Sequence, residues 1–131
     1  MRHHPKELEI YFDNKSSSHR KTKALAYSIT HHVKEIDFEH YRLTKLMWGD
    51  LLELLHMKPK QLLNKANPKY QELIARHDFD DNDWLEILVK NPELIKAPIV
   101  VYHDRAVLCE NSKDIYKLIE DEELKVARRV T

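Results

Sequence analysis

Leu8-Glu-Ile-Tyr-Phe12, followed by Asp13-Asn-Lys-Ser-Ser-Ser18, is the stretch on which the fold turns. Leu8, Ile10 and Phe12 alternate with Glu9 and Tyr11, the period of a short strand. The residues from Asp13 to Ser18 break that period with types that favour turns and helix caps, so Ser16, Ser17 or Ser18 is expected to cap the helix that follows. From His19 to Ile29 the spacing of Ala24, Leu25 and Ile29, with Ala26 and Tyr27 between them, suits that helix. His31-His32 ends it, and Val33-Lys-Glu-Ile-Asp37 reads as a second strand. A strand, a helix and a strand within about 30 residues have the length of a βαβ unit with parallel strands.

Outward from this unit the middle of the chain is helical. Thr44 is placed to cap a helix whose apolar stripe is Leu46, Met47, Leu51, Leu54 and Leu55. Lys58-Pro59 interrupts it, a shorter helix runs through Leu62-Leu63, and Pro68 opens a segment carrying Tyr70, Leu73 and Ile74. Asp80-Asp-Asn-Asp83 is a dense start signal, because carboxylates favour the positive end of the helix dipole. Pro92 helps to stop the helix it opens, which holds Trp84, Leu85, Ile87, Leu88 and Val89. Strand character returns at Pro98-Ile-Val-Val-Tyr102, a continuous apolar run of the kind buried on both faces. His103-Asp-Arg105 reads as a tight turn and Ala106-Val-Leu-Cys109 as a returning antiparallel strand. Asn111 or Ser112 then caps a last helix with Ile115, Tyr116, Leu118 and Ile119. The pattern is an α/β fold with a mixed four-stranded sheet, in the order β-α-β, helices, β-β-α. One domain over residues 1–120, with a helical insertion at about 44–92, leaves 121–131 as a C-terminal tail or frayed helical extension.

Composition removes several function classes. The chain has 131 residues, with 22 Lys plus Arg against 22 Asp plus Glu. A protein that grips nucleic acid through many phosphates normally carries a basic excess, so direct nucleic-acid binding is not expected. Average usage would give roughly nine glycines in a chain of this length, and there is one, Gly49. Glycine-rich phosphate cradles are therefore excluded. The lone Cys109 leaves no internal disulfide, no Cys-x-x-Cys pair and no multi-cysteine zinc site. No apolar run approaches the ~20 residues that span a bilayer, and Met1-Arg-His-His-Pro5 is not a signal peptide. The expected location is the cytoplasm, with no membrane contact.

The wording of the sequence adds a resemblance. Lys58-Pro-Lys-Gln-Leu-Leu-Asn-Lys-Ala-Asn-Pro-Lys-Tyr-Gln-Glu-Leu73, then Asp80 to Trp84, then Asn91-Pro-Glu-Leu-Ile-Lys-Ala-Pro-Ile-Val-Val101, resemble the glutaredoxin-type arsenate reductase family, which includes the regulator Spx. Members carry Leu-Leu-Arg-Lys, Tyr-x-Glu-Leu, an acidic helix start, and Pro-x-Leu-Ile-x-Arg-Pro-Ile-Val before a Leu-Cys strand. The resemblance runs from about Leu8 to Glu120 and implies a thioredoxin-like fold. Reductases of the family have a cysteine nucleophile in the loop after the first strand, with Arg four residues later. On that motif the nucleophile position falls at Ser16 and the arginine at Arg20. The family's arsenate-binding arginines fall at Asn64, Ala97 and Glu110. Arsenate reduction needs a thiolate and guanidinium forks around a dianion, and these positions supply neither.

The resemblance thus implies a catalytically inactive, Spx-like module that binds a protein partner or regulates, with no cofactor. By resemblance to Spx the transcription machinery is one candidate partner, although the Cys-x-x-Cys switch of Spx is excluded by Ser16 to His19. The alternative is a glutathione- or small-anion-using oxidoreductase or transferase with a non-standard site at Ser16 and Arg20. Ser16, Ser17, Ser18, His19 and Arg20 are the anion-binding candidates, because amides and the dipole at a helix start attract negative charge. Ser16 is read as a helix cap rather than a nucleophile, since no third member of a triad is marked. Cys109 reads as a buried structural thiol of an inner strand. The nine histidines include no converging ligand set, so no metal is expected. A cis Ala97–Pro98 bond beside the site loop is implied by the resemblance.

Overall fold

The structure, a computed structural model, describes residues 7–119. The tail expected over 121–131 lies outside the described residues. Four strands form one mixed sheet: β1 (Leu8–Phe12), β2 (Val33–Asp37), β3 (Ile99–Tyr102) and β4 (Arg105–Leu108), in the spatial order β2-β1-β3-β4. β1 runs parallel to β2, with Ile10 opposite Glu35, and antiparallel to β3, with Tyr11 opposite Ile99. β3 and β4 form an antiparallel hairpin in which Ile99 faces Leu108. This is the sheet expected from the sequence.

The alternation along β1 sorts two cores. Leu8, Ile10 and Phe12 face one side with Val100, Tyr102, Ala26, Cys109, Ile115 and Leu118. Helix α1 (Ser17–Ile29) and the final helix, which begins as a 3-10 turn at Ser112–Ile115 and continues as a helical turn over Tyr116–Ile119, cover that face. Tyr11, Ile36, Ile99, Val101 and Leu108 face the other side, where they meet Trp48, Leu51, Leu62, Leu88 and Leu94. That layer is built from α2 (Lys45–Leu55), α3 (Pro59–Leu62), α4 (Pro68–Leu73) and α5 (Asp81–Lys90). With both faces covered, β3 needs apolar residues throughout, and all four of its residues are buried.

Side chains set the helix starts. The Thr44 side chain accepts from the Met47 N–H, Asn67 from Lys69, Asp80 from Asp83 and Asn111 from Lys113. Asp80 and Asp83 form a reciprocal capping box, which satisfies two N–H groups that lack helical partners. α2 ends in the left-handed conformation at His56 (φ 54°), and the Met57 N–H donates back to Leu52 at 3.1 Å. That is the usual glycine termination carried out by another residue.

Two expectations are corrected. The Ala97–Pro98 peptide is trans. An X–Pro bond prefers trans by about 0.5–1 kcal/mol unless its surroundings reverse the preference. Here the chain is fixed in an extended path on both sides: Lys96 N–H donates to Leu62 at 2.7 Å, and the Pro98 carbonyl accepts from Cys109 at 2.9 Å. The second correction concerns Cys109, which was expected in an inner strand. β4 is an edge strand and ends at Leu108, so Cys109 lies just beyond it, buried in the cluster that also holds Phe12, Val100, Ile115 and Leu118.

Candidate functional site

The C-terminal end of β1, the N-terminal end of β3 and the C-terminal end of β4 meet at one edge of the sheet, as the pairs Tyr11–Ile99 and Ile99–Leu108 require. The loop from Asp13 to Ser16 leaves β1 there and enters α1. Its residues bond to one another. The Ser16 N–H donates to the Asp13 carbonyl at 3.0 Å, and the Lys15 N–H donates to the Asp13 carboxylate at 3.0 Å. Ser16 is the N-cap: its Oγ accepts from the His19 N–H at 3.4 Å and lies 3.0 Å from the Ser18 Oγ. The helix starts at Ser17, two residues before the position at which apolar spacing first marks it, because capping and not burial fixes its first turn.

His19 lies beneath this turn, only 4% exposed. Its Nδ1 accepts from the Asp13 N–H at 3.0 Å, which places the proton of the neutral ring on Nε2. Burial pushes its pKa below the ordinary 6.5, and the nearby Asp13 carboxylate only partly opposes that. His19 therefore holds the loop and has no Nδ1 lone pair to offer Ser16 as a base. Arg20 also turns inward, its Nη1 donating to the Asn14 carbonyl at 2.6 Å, while the side chain remains exposed. Behind the loop, Lys23 lies 5.0 Å from the centre of the Phe12 ring and 3.3 Å from Glu35 of β2.

Asn64, Lys96 and Glu110 gather elsewhere on the same side of the fold. The Leu63–Ile95 bridge and the Asn64 N–H bond to Leu94 at 2.8 Å bring the two segments together. Together with Lys58, Lys60 and Lys65 they line a cavity of about 830 Å³. Glu110 forms an ion pair there with Lys96 at 2.9 Å, and Ala97 is buried beside it. Asp13 and Lys15 line a separate cavity of about 470 Å³ with Glu39, Asn67 and Glu93. The structure thus brings Asn64 and Glu110 to the lining of one cavity, and Asp13 and Lys15 to that of another.

Two further groups of titratable side chains lie outside the Asp13–Ser16 loop. Burial pushes the Cys109 thiol up to about 12, with Asp114 adding to the shift, so its sulfur stays protonated near neutral pH. Among the described residues, Asp37, Glu39 and His40 hold one potential ligand atom each within 4.8 Å of one another. The Asp37 carboxylate already accepts from the Glu39 N–H at 3.0 Å, which makes this an Asx turn. Sequence spacing alone did not mark that group.

The ArsC family model matches residues 11–118, from the second half of β1 through the final helix. This chain belongs to the ArsC family. The ArsC fold is shared with an arsenate reductase from Vibrio cholerae, at a TM-score of 0.79 and 20% identity over 86% of this chain and 98% of that one. A Yersinia pestis protein assigned as an arsenate reductase aligns at a TM-score of 0.75 with 23% identity, covering 85% of this chain and 99% of its own. An arsenate reductase-related protein from Brucella melitensis aligns at 0.65 with 16% identity over 87% of this chain and 95% of that chain. No curated protein sequence matches. Among the described residues of this ArsC chain, no helix is long and apolar enough to cross a membrane.

Proposed function

We propose that this chain is an ArsC scaffold without reductase activity, working in the cytoplasm as a protein-binding or regulatory module. The observation that supports this most directly is the closed loop at α1. The Ser16 hydroxyl is engaged as a cap by the His19 N–H, and the Arg20 guanidinium is engaged by the Asn14 carbonyl. By the resemblance given above, Ser16 stands where reductases of the family carry a cysteine, and a capping hydroxyl is no substitute for a thiolate. Glu110, on the same reading an arginine position, carries the charge opposite to the one a dianion needs. The remaining thiol, Cys109, is buried and stays protonated.

An assay of arsenate-dependent thiol oxidation with purified protein, glutathione and glutaredoxin tests this reading. Background rates are expected. Turnover that disappears in Ser16→Ala or Arg20→Ala overturns it. Amide resonances of residues 14–22 recorded with millimolar phosphate or glutathione test the rival small-anion activity in the same loop. No shift is expected.

A further inference from the structure

Four lysines from two distant segments converge where the Leu63–Ile95 bridge joins them. Lys58, Lys60 and Lys65 come from the chain around α3, and Lys96 is delivered by the strand-like run before Pro98. The chain as a whole balances 22 cationic against 22 anionic side chains, so this concentration is local and not a bulk property. Among the described residues lining the cavity of about 830 Å³, Glu110 is the one carboxylate facing the four lysines. The cavity also has an apolar side at Met57, which is half-buried, and Ala66, which is exposed.

We propose that this groove docks an acidic segment of a partner protein, an extended stretch in which carboxylates alternate with apolar side chains. The inference rests on the protein-binding reading above and assigns it a surface and a partner chemistry. Lysine ammoniums are point charges on flexible stems, without the planar fork that fixes one oxyanion geometry. They suit several carboxylates spread along a chain better than one clamped small anion. The volume exceeds what a single oxyanion fills, and alternating side chains use both the charged rim and the apolar side. A nucleic-acid strand fits less well: among the described residues no aromatic side chain lines the groove for base stacking, and Glu110 repels phosphates. The Lys96–Glu110 pair has side chains 35% and 62% exposed, so a partner carboxylate can take the place of Glu110 at small cost. Glu110 is then a built-in competitor for the groove.

A fluorescein-labelled hexapeptide, ELEELE, followed by anisotropy with QLQQLQ as its neutral control, tests the proposal on the full chain. ELEELE is expected to bind, and to bind more weakly as salt rises, since exposed charges are screened. The double variant Lys60→Glu/Lys65→Glu should weaken it about tenfold, and Glu110→Lys should tighten it about threefold, the size of effect that charge complementarity gives. The same reversal at Lys21 and Lys34, outside the groove, should leave affinity unchanged. Equal binding of QLQQLQ, equal loss from the control reversal, no effect of Glu110→Lys, or tighter binding of an oligothymidine each overturns the groove. If the groove variants change nothing while arsenate turnover stays at background, the docking surface fails and the module reading stands. Arsenate turnover removes the module reading whatever the peptide does.

Discussion

The Asp13 backbone N–H donates to Nδ1 of His19 at 3.0 Å, and that one bond holds a buried neutral imidazole as the keystone of the loop at α1. Burial lowers the His19 pKa below 6.5 in the folded chain, so between the folded and unfolded values the unfolded chain binds the extra proton. The contribution of His19 to stability is therefore fully present above about pH 6.5 and is lost as pH falls through the folded value. Melting temperatures measured from pH 8 to pH 5 should fall more steeply for the wild type than for His19→Gln, which keeps an acceptor but does not titrate. Parallel curves for the two proteins contradict this assignment.

Ser16 carries the cap of α1. Ser16→Ala should cost about 1 kcal/mol by chemical denaturation, the usual loss on removing an N-cap oxygen. Ser16→Cys should create a thiol of lowered pKa, because thiolate charge is favoured at a helix N-terminus. An aromatic disulfide reagent at pH 7 should label it rapidly in the native protein.

Cys109 should behave in the opposite way. With its thiol pushed up to about 12 by burial, it should resist the same reagent in native wild-type protein and react only when the chain is unfolded. Fast stoichiometric labelling of the native wild type is the outcome that contradicts the assignment.

Trp48 is fully buried and stacks on Phe38 with ring centres 5.7 Å apart, yet its Nε1–H finds no hydrogen-bond partner among the described residues. An unpaired buried donor costs about 1–3 kcal/mol, which offsets part of what a smaller ring would lose. Trp48→Phe should therefore destabilise far less than Trp48→Ala, for which about 3–5 kcal/mol is expected. Denaturant melts of both variants compare the two.

Gly49 lies within α2, and a Cβ added there meets nothing within 4 Å among the described residues. Gly49→Ala should stabilise the chain by about 1 kcal/mol, the difference in helix propensity between the two residues. His56→Gly, at the left-handed end of α2 (φ 54°), should also stabilise, since glycine occupies that region without a steric penalty. A lowered melting temperature in either variant contradicts these expectations.

Much of the architecture was legible because it depends on short-range rules. The alternation at Leu8, Ile10 and Phe12 announced β1, the unbroken Ile99-Val-Val101 announced a strand covered on both faces, and Thr44, Asn67, Asp80 and Asn111 are side-chain types that cap helices. The features the sequence did not reveal depend on contacts between remote segments. Nothing local shows that Arg20 turns back onto Asn14, nor that β4 lies at the edge and ends before Cys109. Lysines 58, 60 and 65 read as ordinary solvated charges until the bridge at Leu63 brings Lys96 across to them. The cis bond implied at Pro98 came from a family pattern; the bond here takes the trans form that X–Pro peptides ordinarily prefer.

His56, Arg76 and His103 occupy positive-φ positions that other chains usually fill with glycine. With one glycine in 131 residues the unfolded ensemble has fewer conformations to give up, which offsets part of the steric cost at those three positions. Part of what favours the folded state therefore lies in the stiffness of the denatured chain, where no inspection of native contacts would find it.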